Sequence, residues 1–245
     1  MLDQRSRNIL AKFLSLFNSS DQISIANLSE IILFTCGINR VLRLVVEPKF
    51  SDQIKRIFHN DNLYFSTGEL YLETKDNGWT SINNKPIKDK NHTRVLLVLG
   101  NVLKDVEYCF HNELDGDYRL SGKYFNYPDC CINAYPELSS SMEKWAITLL
   151  ENSGSGPYPC WANRLATGWG GACLSGELFP CNLNCQKAIS IGKKTYNCLL
   201  NIGFEKLSKE FLLQSLNPVI VRKNGNIEKV SQLNNFKENI ISFIQ

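Results

Sequence analysis

Six of the nine cysteines of this chain fall between Tyr124 and Cys185, and two groups hold four of them. The first is Tyr127-Pro128-Asp129-Cys130-Cys131, and the second is Pro180-Cys181-Asn182-Leu183-Asn184-Cys185. Thiolate, not thiol, is the form of cysteine that binds a metal or attacks an electrophile. A helix N-terminus favours it, because unpaired N–H groups and a partial positive charge gather there. Each group has a proline just ahead of its cysteines, and Pro128 suits the first position of a helix. Asn182 or Asn184 is a candidate cap for a second helix that runs through Leu200. The two groups therefore predict two cysteine-bearing helix starts.

Four thiolates suit tetrahedral zinc or an iron–sulfur cluster. The spacing selects neither, since it shows neither the C-x-x-C pairs of zinc ribbons nor the cysteine run of ferredoxins. Cys181 and Cys185 are four apart and would share one helix face. Cys130 and Cys131 are adjacent, and successive helical side chains point about 100° apart. Both can serve one metal only if the backbone departs from helix there. Cys160 and Cys173 lie between the groups and are candidates to complete or replace ligands.

Three functions compete for this stretch. The first is a cysteine-ligated metal or iron–sulfur protein of unspecified reaction. The second is a metal-free thiol redox enzyme, with Cys181 or Cys185 as nucleophile and another cysteine to resolve. No histidine is near to assist it, because His59, His92 and His111 all precede the cysteines. The third is an interaction module in which zinc only staples a loop-rich domain. Against all three stands the plain reading of buried structural thiols, since free cysteine is among the most buried residue types. That reading is the expectation for Cys36, Cys109 and Cys198, each in a predicted helix.

Residues 157–177 separate the two cysteine groups, with glycines at 168, 170, 171 and 176 and tryptophans at 161 and 169. Irregular segments of this length inside a domain tend to be functional or disordered. The aromatic content argues against disorder. This loop is the expected wall of a pocket, with Trp161 and Trp169 as its cofactor-binding candidates.

The rest must position these residues. Ile9, Leu10, Phe13, Leu14 and Phe17 mark one helix face. Asn27 with Glu30 three residues on resembles a capping box, and Gly37 stops that second helix. Val41 to Glu47 is a strand, and a helix to Asn60 follows it. Leu63 to Ser66 and Glu69 to Thr74 read as two strands around a Thr67-Gly68 turn. Asp76-Asn77-Gly78 marks a further turn. Arg94 to Leu99 is apolar throughout and should be central in its sheet, with a helix from Val102 to Asn112 behind it. Leu114-Asp115-Gly116-Asp117 is the candidate boundary. His111, Glu113, Asp115 and Asp117 there lack calcium-loop spacing, so an ordinary turn is the preferred reading. The expected fold class is α+β: a small mixed sheet with helices over 1–116, then a mainly helical cysteine-rich part over 117–245, the two conceivably one continuous domain. Asn224-Gly225 predicts a hairpin, and Phe236, Ile240, Ile241 and Ile244 a final amphipathic helix.

A chain of 245 residues with 43% hydrophobic and 21% charged residues is ordinary for a globular protein. A net charge of +3 argues for neither nucleic acid nor membrane as a partner. The partner left open is a small molecule or another protein. The first residues lack the apolar core of a signal peptide, which predicts the cytoplasm, where clustered cysteines more often bind metal or do chemistry than form disulfides. Gly192-Lys193-Lys194-Thr195 is not a phosphate loop, since Lys187 stands where one needs glycine.

Tyr127-Pro128-Asp129-Cys130-Cys131 followed by Pro180-Cys181 and Cys185 resembles an uncharacterised, largely archaeal domain family of unknown function (number four-eight-three). That family carries a Gly-Tyr-Pro-x-Cys-Cys element and a later Pro-Cys-x-x-x-Cys element. The resemblance covers about residues 120–200 and implies that Cys130, Cys131, Cys181 and Cys185 belong together. It implies no reaction. Asn126 stands where glycine is usual.

Overall fold

The computed structural model describes residues 2–18, 25–74, 80–83, 93–139, 144–166, 173–224, 226–229 and 241–244. Helix α1 (Leu2–Asn18) buries Ile9, Leu10 and Phe13 of the stripe that its spacing predicted, and α2 (Ile25–Thr35) buries Ile31 and Ile32. Helix α2 begins at Ile25, so Asn27 lies inside it and is not its cap. Strand β1 (Val41–Val46) leads into α3 (Pro48–Phe58), which starts on Pro48 and buries Phe50, Ile54 and Phe58.

Strands β2 (Tyr64–Thr74), β3 (Thr80–Asn83) and β4 (Thr93–Gly100) complete a four-stranded sheet in the order β1-β4-β2-β3. Every pairing is antiparallel, with Val41 opposite Gly100 and Tyr64 opposite the same residue from the other side. Strand β4 is indeed interior. Leu97 and Leu99 face the core shared with α1 and α3, while Leu96 and Val98 face Val106 and Cys109. Those two residues belong to α4 (Leu103–Asp115).

The expected turn at Thr67-Gly68 does not exist, because β2 runs unbroken through it. A Cβ on Gly68 would meet the ring of Phe110. The glycine lets α4 lie close on the strand, which a turn propensity cannot distinguish from a reversal. The turn at 76–78 and the loop at 84–92 lie outside the described residues.

The remainder is mostly helical, so the α+β class holds. Gly116 adopts a left-handed φ of 72° and ends α4, and the Asp117 carboxylate caps α5 (Tyr118–Tyr124) through the N–H groups of Arg119 and Leu120. Helices α6 (Asp129–Ser139) and α7 (Trp145–Glu151) follow. Strand β5 (Tyr158–Pro159) and a 3-10 turn (Cys160–Ala162) lead toward α8 (Gln186–Asn201) and α9 (Glu205–Ser215). Strands β6 (Val219–Val221) and β7 (Ile227–Lys229) form the expected hairpin. The end of the chain departs from expectation. Ile241 bridges Val219, and β8 (Phe243–Ile244) pairs in parallel with β5. Pairing against two edges overrides the helical spacing of these β-favouring residues; residues 230–240 of the expected helix are outside the described set.

One buried cluster runs from Ile9 and Phe13 through Leu97 and Trp145 to Ile189 and Phe243, on both sides of the expected boundary. Cys36 and Cys198 are not the core thiols expected of them. They form a disulfide between the end of α2 and the last turns of α8, with Cα atoms 5.9 Å apart. Their separation of 162 residues leaves no local sign of the pairing. Among the described residues no helix is long and apolar enough to cross a membrane.

Candidate metal centre

The first cysteine group begins a helix as predicted. The Pro128 carbonyl accepts the N–H groups of Cys131 and Ile132 at 2.9 and 3.0 Å. Just before it, Asn126 has φ 52°, a conformation open to glycine and tolerated by asparagine. Its Nδ2 donates to the Ile38 carbonyl at 2.6 Å, which ties the approach to the first part of the chain.

The second group is built differently from its prediction. Residues 181–184 are a turn, in which the Asn182 side chain accepts the Asn184 N–H and the Asn182 carbonyl accepts the Cys185 N–H. Helix α8 starts only at Gln186, with Cys185 as its cap residue. Cys181 is therefore not on a helix, and the two sulfurs meet because the turn folds back. Ser153, just past α7, fixes that turn by accepting from it twice: its Oγ accepts the Leu183 N–H at 2.8 Å and its carbonyl accepts from Asn184 Nδ2 at 3.1 Å. Helix α8 itself is seated by Gly192, where a Cβ would overlap the Trp161 carbonyl.

The four sulfurs of Cys130, Cys131, Cys181 and Cys185 all lie within 4.8 Å of one another. Cys130 Sγ is 3.9 Å from Cys131 Sγ and 3.8 Å from Cys185 Sγ, and Cys131 Sγ is 3.7 Å from Cys185 Sγ. Both adjacent cysteines reach the group while their backbone is helical, against the expectation that it must depart from helix. The side chains of a helix tilt toward its N-terminus. In the first turn that tilt carries neighbouring sulfurs past the helix end, where the angle between them no longer separates them. Cys131 and Cys185 are buried, Cys181 is half-buried and Cys130 is exposed.

The thiols do not share protons evenly. Cys185 is pulled down to about 5 by the S–H of Cys131, against the cost of burial and with help from the Ala188 amide in the first turn of α8. Cys131 is raised by its hydrogen bond to Cys185 and then by burial. Burial, followed by the bond to Cys185, pushes Cys181 up to about 12. Cys185 is thus held as thiolate while Cys131 and Cys181 keep their protons, an arrangement that draws in a cation able to replace them.

Cys160 and Cys173 do not join the group. Both are buried, and Cys173 Sγ contacts Ser175 Oγ at 3.1 Å. Cys109 is core, as expected. Glu113 pairs with Arg43 and Asp117 caps α5, so this acidic run is structural. Trp161 is buried edge-on against Tyr196, and Trp169 lies outside the described residues. The described parts of the intervening segment are largely interior: Asn163, Arg164, Leu174 and Ser175 are all buried.

A cavity of about 410 Å3 opens beside Cys131, and Trp161 does not line it. Its polar wall is Arg43, Glu113, Glu177 and Arg164. Arg43 donates to Glu113 at 3.1 Å and to Glu177 at 2.5 Å. Behind it, buried Glu30 accepts from the Glu177 N–H and from Asn39 Nδ2. Sequence reasoning missed this cavity. Arg43 inside an apolar strand was the one signal it carried; Glu177 and Arg164 gave none. No protein family, curated protein or solved structure matches the chain.

Proposed function

We propose that Cys130, Cys131, Cys181 and Cys185 hold one tetrahedral metal ion, zinc or iron, in a centre that joins α6 to α8 beside a ligand cavity. The sulfur spacing supports this reading. Four sulfurs at about 2.3 Å from one ion stand about 3.8 Å apart, and the three pairs among Cys130, Cys131 and Cys185 measure 3.7, 3.8 and 3.9 Å. A cluster places its thiolates on more than one iron and spreads them further. A single ion therefore suits the observed group better than a cluster does. Four protein ligands close the coordination shell, so the ion would organise the site and would not itself bind water for hydrolysis. On this reading the two elements are those of the four-eight-three family. The metal-free thiol enzyme is the second reading, favoured by the low pKa of Cys185 and the exposure of Cys130.

The test is metal and acid-labile sulfide analysis of anaerobically purified protein. The expected result is about one zinc or iron per chain, no labile sulfide, and loss of the metal in Cys181→Ser. Labile sulfide would replace the single ion by a cluster. Folded protein without metal, carrying one fast-alkylating thiol in acid, would replace it by the thiol enzyme.

A further inference from the structure

The cavity beside Cys131 has the construction of a binding site for a small molecule. Its volume of about 410 Å3 is within the range of such sites. Its charges are matched: Arg43 and Arg164 face Glu113 and Glu177. Arg43 is held between the two carboxylates, and Arg164 Nη1 donates to the Gly176 carbonyl while its guanidinium lies 4.8 Å from the centre of the Phe179 ring. A free anion would have to pull Arg43 from its partners, so the wall does not select net negative charge. It offers donors and acceptors side by side. Five aromatic rings also line it, with Tyr118 and Tyr135 at 5.5 Å, Tyr135 and Phe179 at 6.0 Å, and Phe125 and Tyr127 at 5.5 Å between ring centres. Flat faces of this kind stack on a planar ligand.

One hydroxyl in this wall is left over. Ser121 is only 3% exposed and lines the cavity, yet its Oγ has no hydrogen-bond partner among the described residues. A buried hydroxyl without a partner is costly. A ligand atom in the cavity would satisfy it.

We propose that this cavity binds a neutral, planar ring molecule whose edge carries an adjacent donor and acceptor, as in a lactam or carboxamide. The ring stacks on Tyr135 and its neighbours, a polar atom meets Ser121 Oγ, and the ligand sits against Cys131. The inference goes beyond the metal reading: of the four proposed ligands Cys131 alone is in the cavity wall, and Cys181 does not line it.

Nicotinamide, uridine and guanosine serve as neutral ring probes, and inorganic phosphate as the charged control, in binding titrations on the full chain. At least one ring probe should bind. Ser121→Ala should weaken it about five- to tenfold, the worth of one hydrogen bond, with a melting temperature of the ligand-free protein no lower than wild type, because an unpartnered hydroxyl is removed. Tyr135→Leu should weaken it too. Binding should persist in Cys181→Ser, so loss of the metal and loss of the ligand are separate results. Failure of all three probes, unchanged affinity in Ser121→Ala, or displacement of the ring by phosphate would each overturn the proposal.

Discussion

Cys185 is at once the cap residue of α8 and the most acidic of the four grouped sulfurs. On the proposed reading this fixes how metal binding responds to pH. Cys185 is already thiolate at neutral pH, while Cys131 and Cys181 are held protonated. Metal must displace the protons of those two thiols, at least about two per ion, and its affinity must fall as pH falls. Calorimetric titration in two buffers of different ionisation enthalpy measures that number, and a value below one would contradict the assignment. Asn126 gives a second expectation. Its left-handed φ predicts that Asn126→Gly folds normally, apart from losing the bond to Ile38, whereas Asn126→Val is destabilised by about 1–2 kcal/mol in a thermal or denaturant melt. The identities of the four cysteines were legible in the sequence, since proline and polar neighbours flagged both groups. Their convergence was only half legible. Angular separation around a helix axis describes the middle of a helix, and it failed for Cys130 and Cys131 because they stand at its end.

Two elements reach their places through a missing side chain. Gly68 admits Phe110 of α4, and Gly192 admits the Trp161 backbone against α8. In Gly192→Ala the new methyl group meets backbone, which cannot swing aside. The expected cost is about 1–3 kcal/mol or more in denaturant unfolding, together with weaker metal retention, since α8 carries the Cys185 cap. A melt equal to wild type would show that the helix shifts freely. Helix α2 brings a different effect. Burial, and then the nearby Glu177 carboxylate, raise Glu30 from 4.5 to about 7. Between those values the folded chain keeps a proton that the unfolded chain has released, so stability falls as pH rises through the window and is level above it, by about 3 kcal/mol at most. Glu30→Gln should therefore gain on wild type between about pH 5 and pH 7, whatever fixed cost it carries. A constant gap between the two proteins at pH 5.5, 6.5 and 7.5 would mean that Glu30 does not titrate there. Strand β4 and helix α1 were legible because their apolar spacing is local. The unbroken β2, the strand at Phe243 and the interior courses of 160–166 and 173–178 were not, because each is decided by a partner distant in sequence: Phe110, Tyr158 and the core around Ile31.

At the scale of the molecule, the sheet and the later helices share one buried cluster, and the Cys36–Cys198 disulfide crosses from one to the other. Closing a loop this long restricts the unfolded chain by about 5 kcal/mol in the chain-entropy account. Reductant should lower the melting temperature of wild type and leave a Cys36→Ala/Cys198→Ala double variant unmoved; equal sensitivity of the two would remove the disulfide from the stability of the fold. The same bond has a topological result. Cys130 and Cys131 lie before the exposed turn at Gly154-Ser155, and Cys181 and Cys185 lie after it. A protease that cuts the backbone at that turn produces two fragments, each with half of the sulfur group and one end of the disulfide. The nicked protein should migrate as one species without reductant and as two with it, and should keep its metal until the disulfide is opened. Within the span from Cys36 to Cys198 the molecule is a covalent ring, and one break in a ring does not part it.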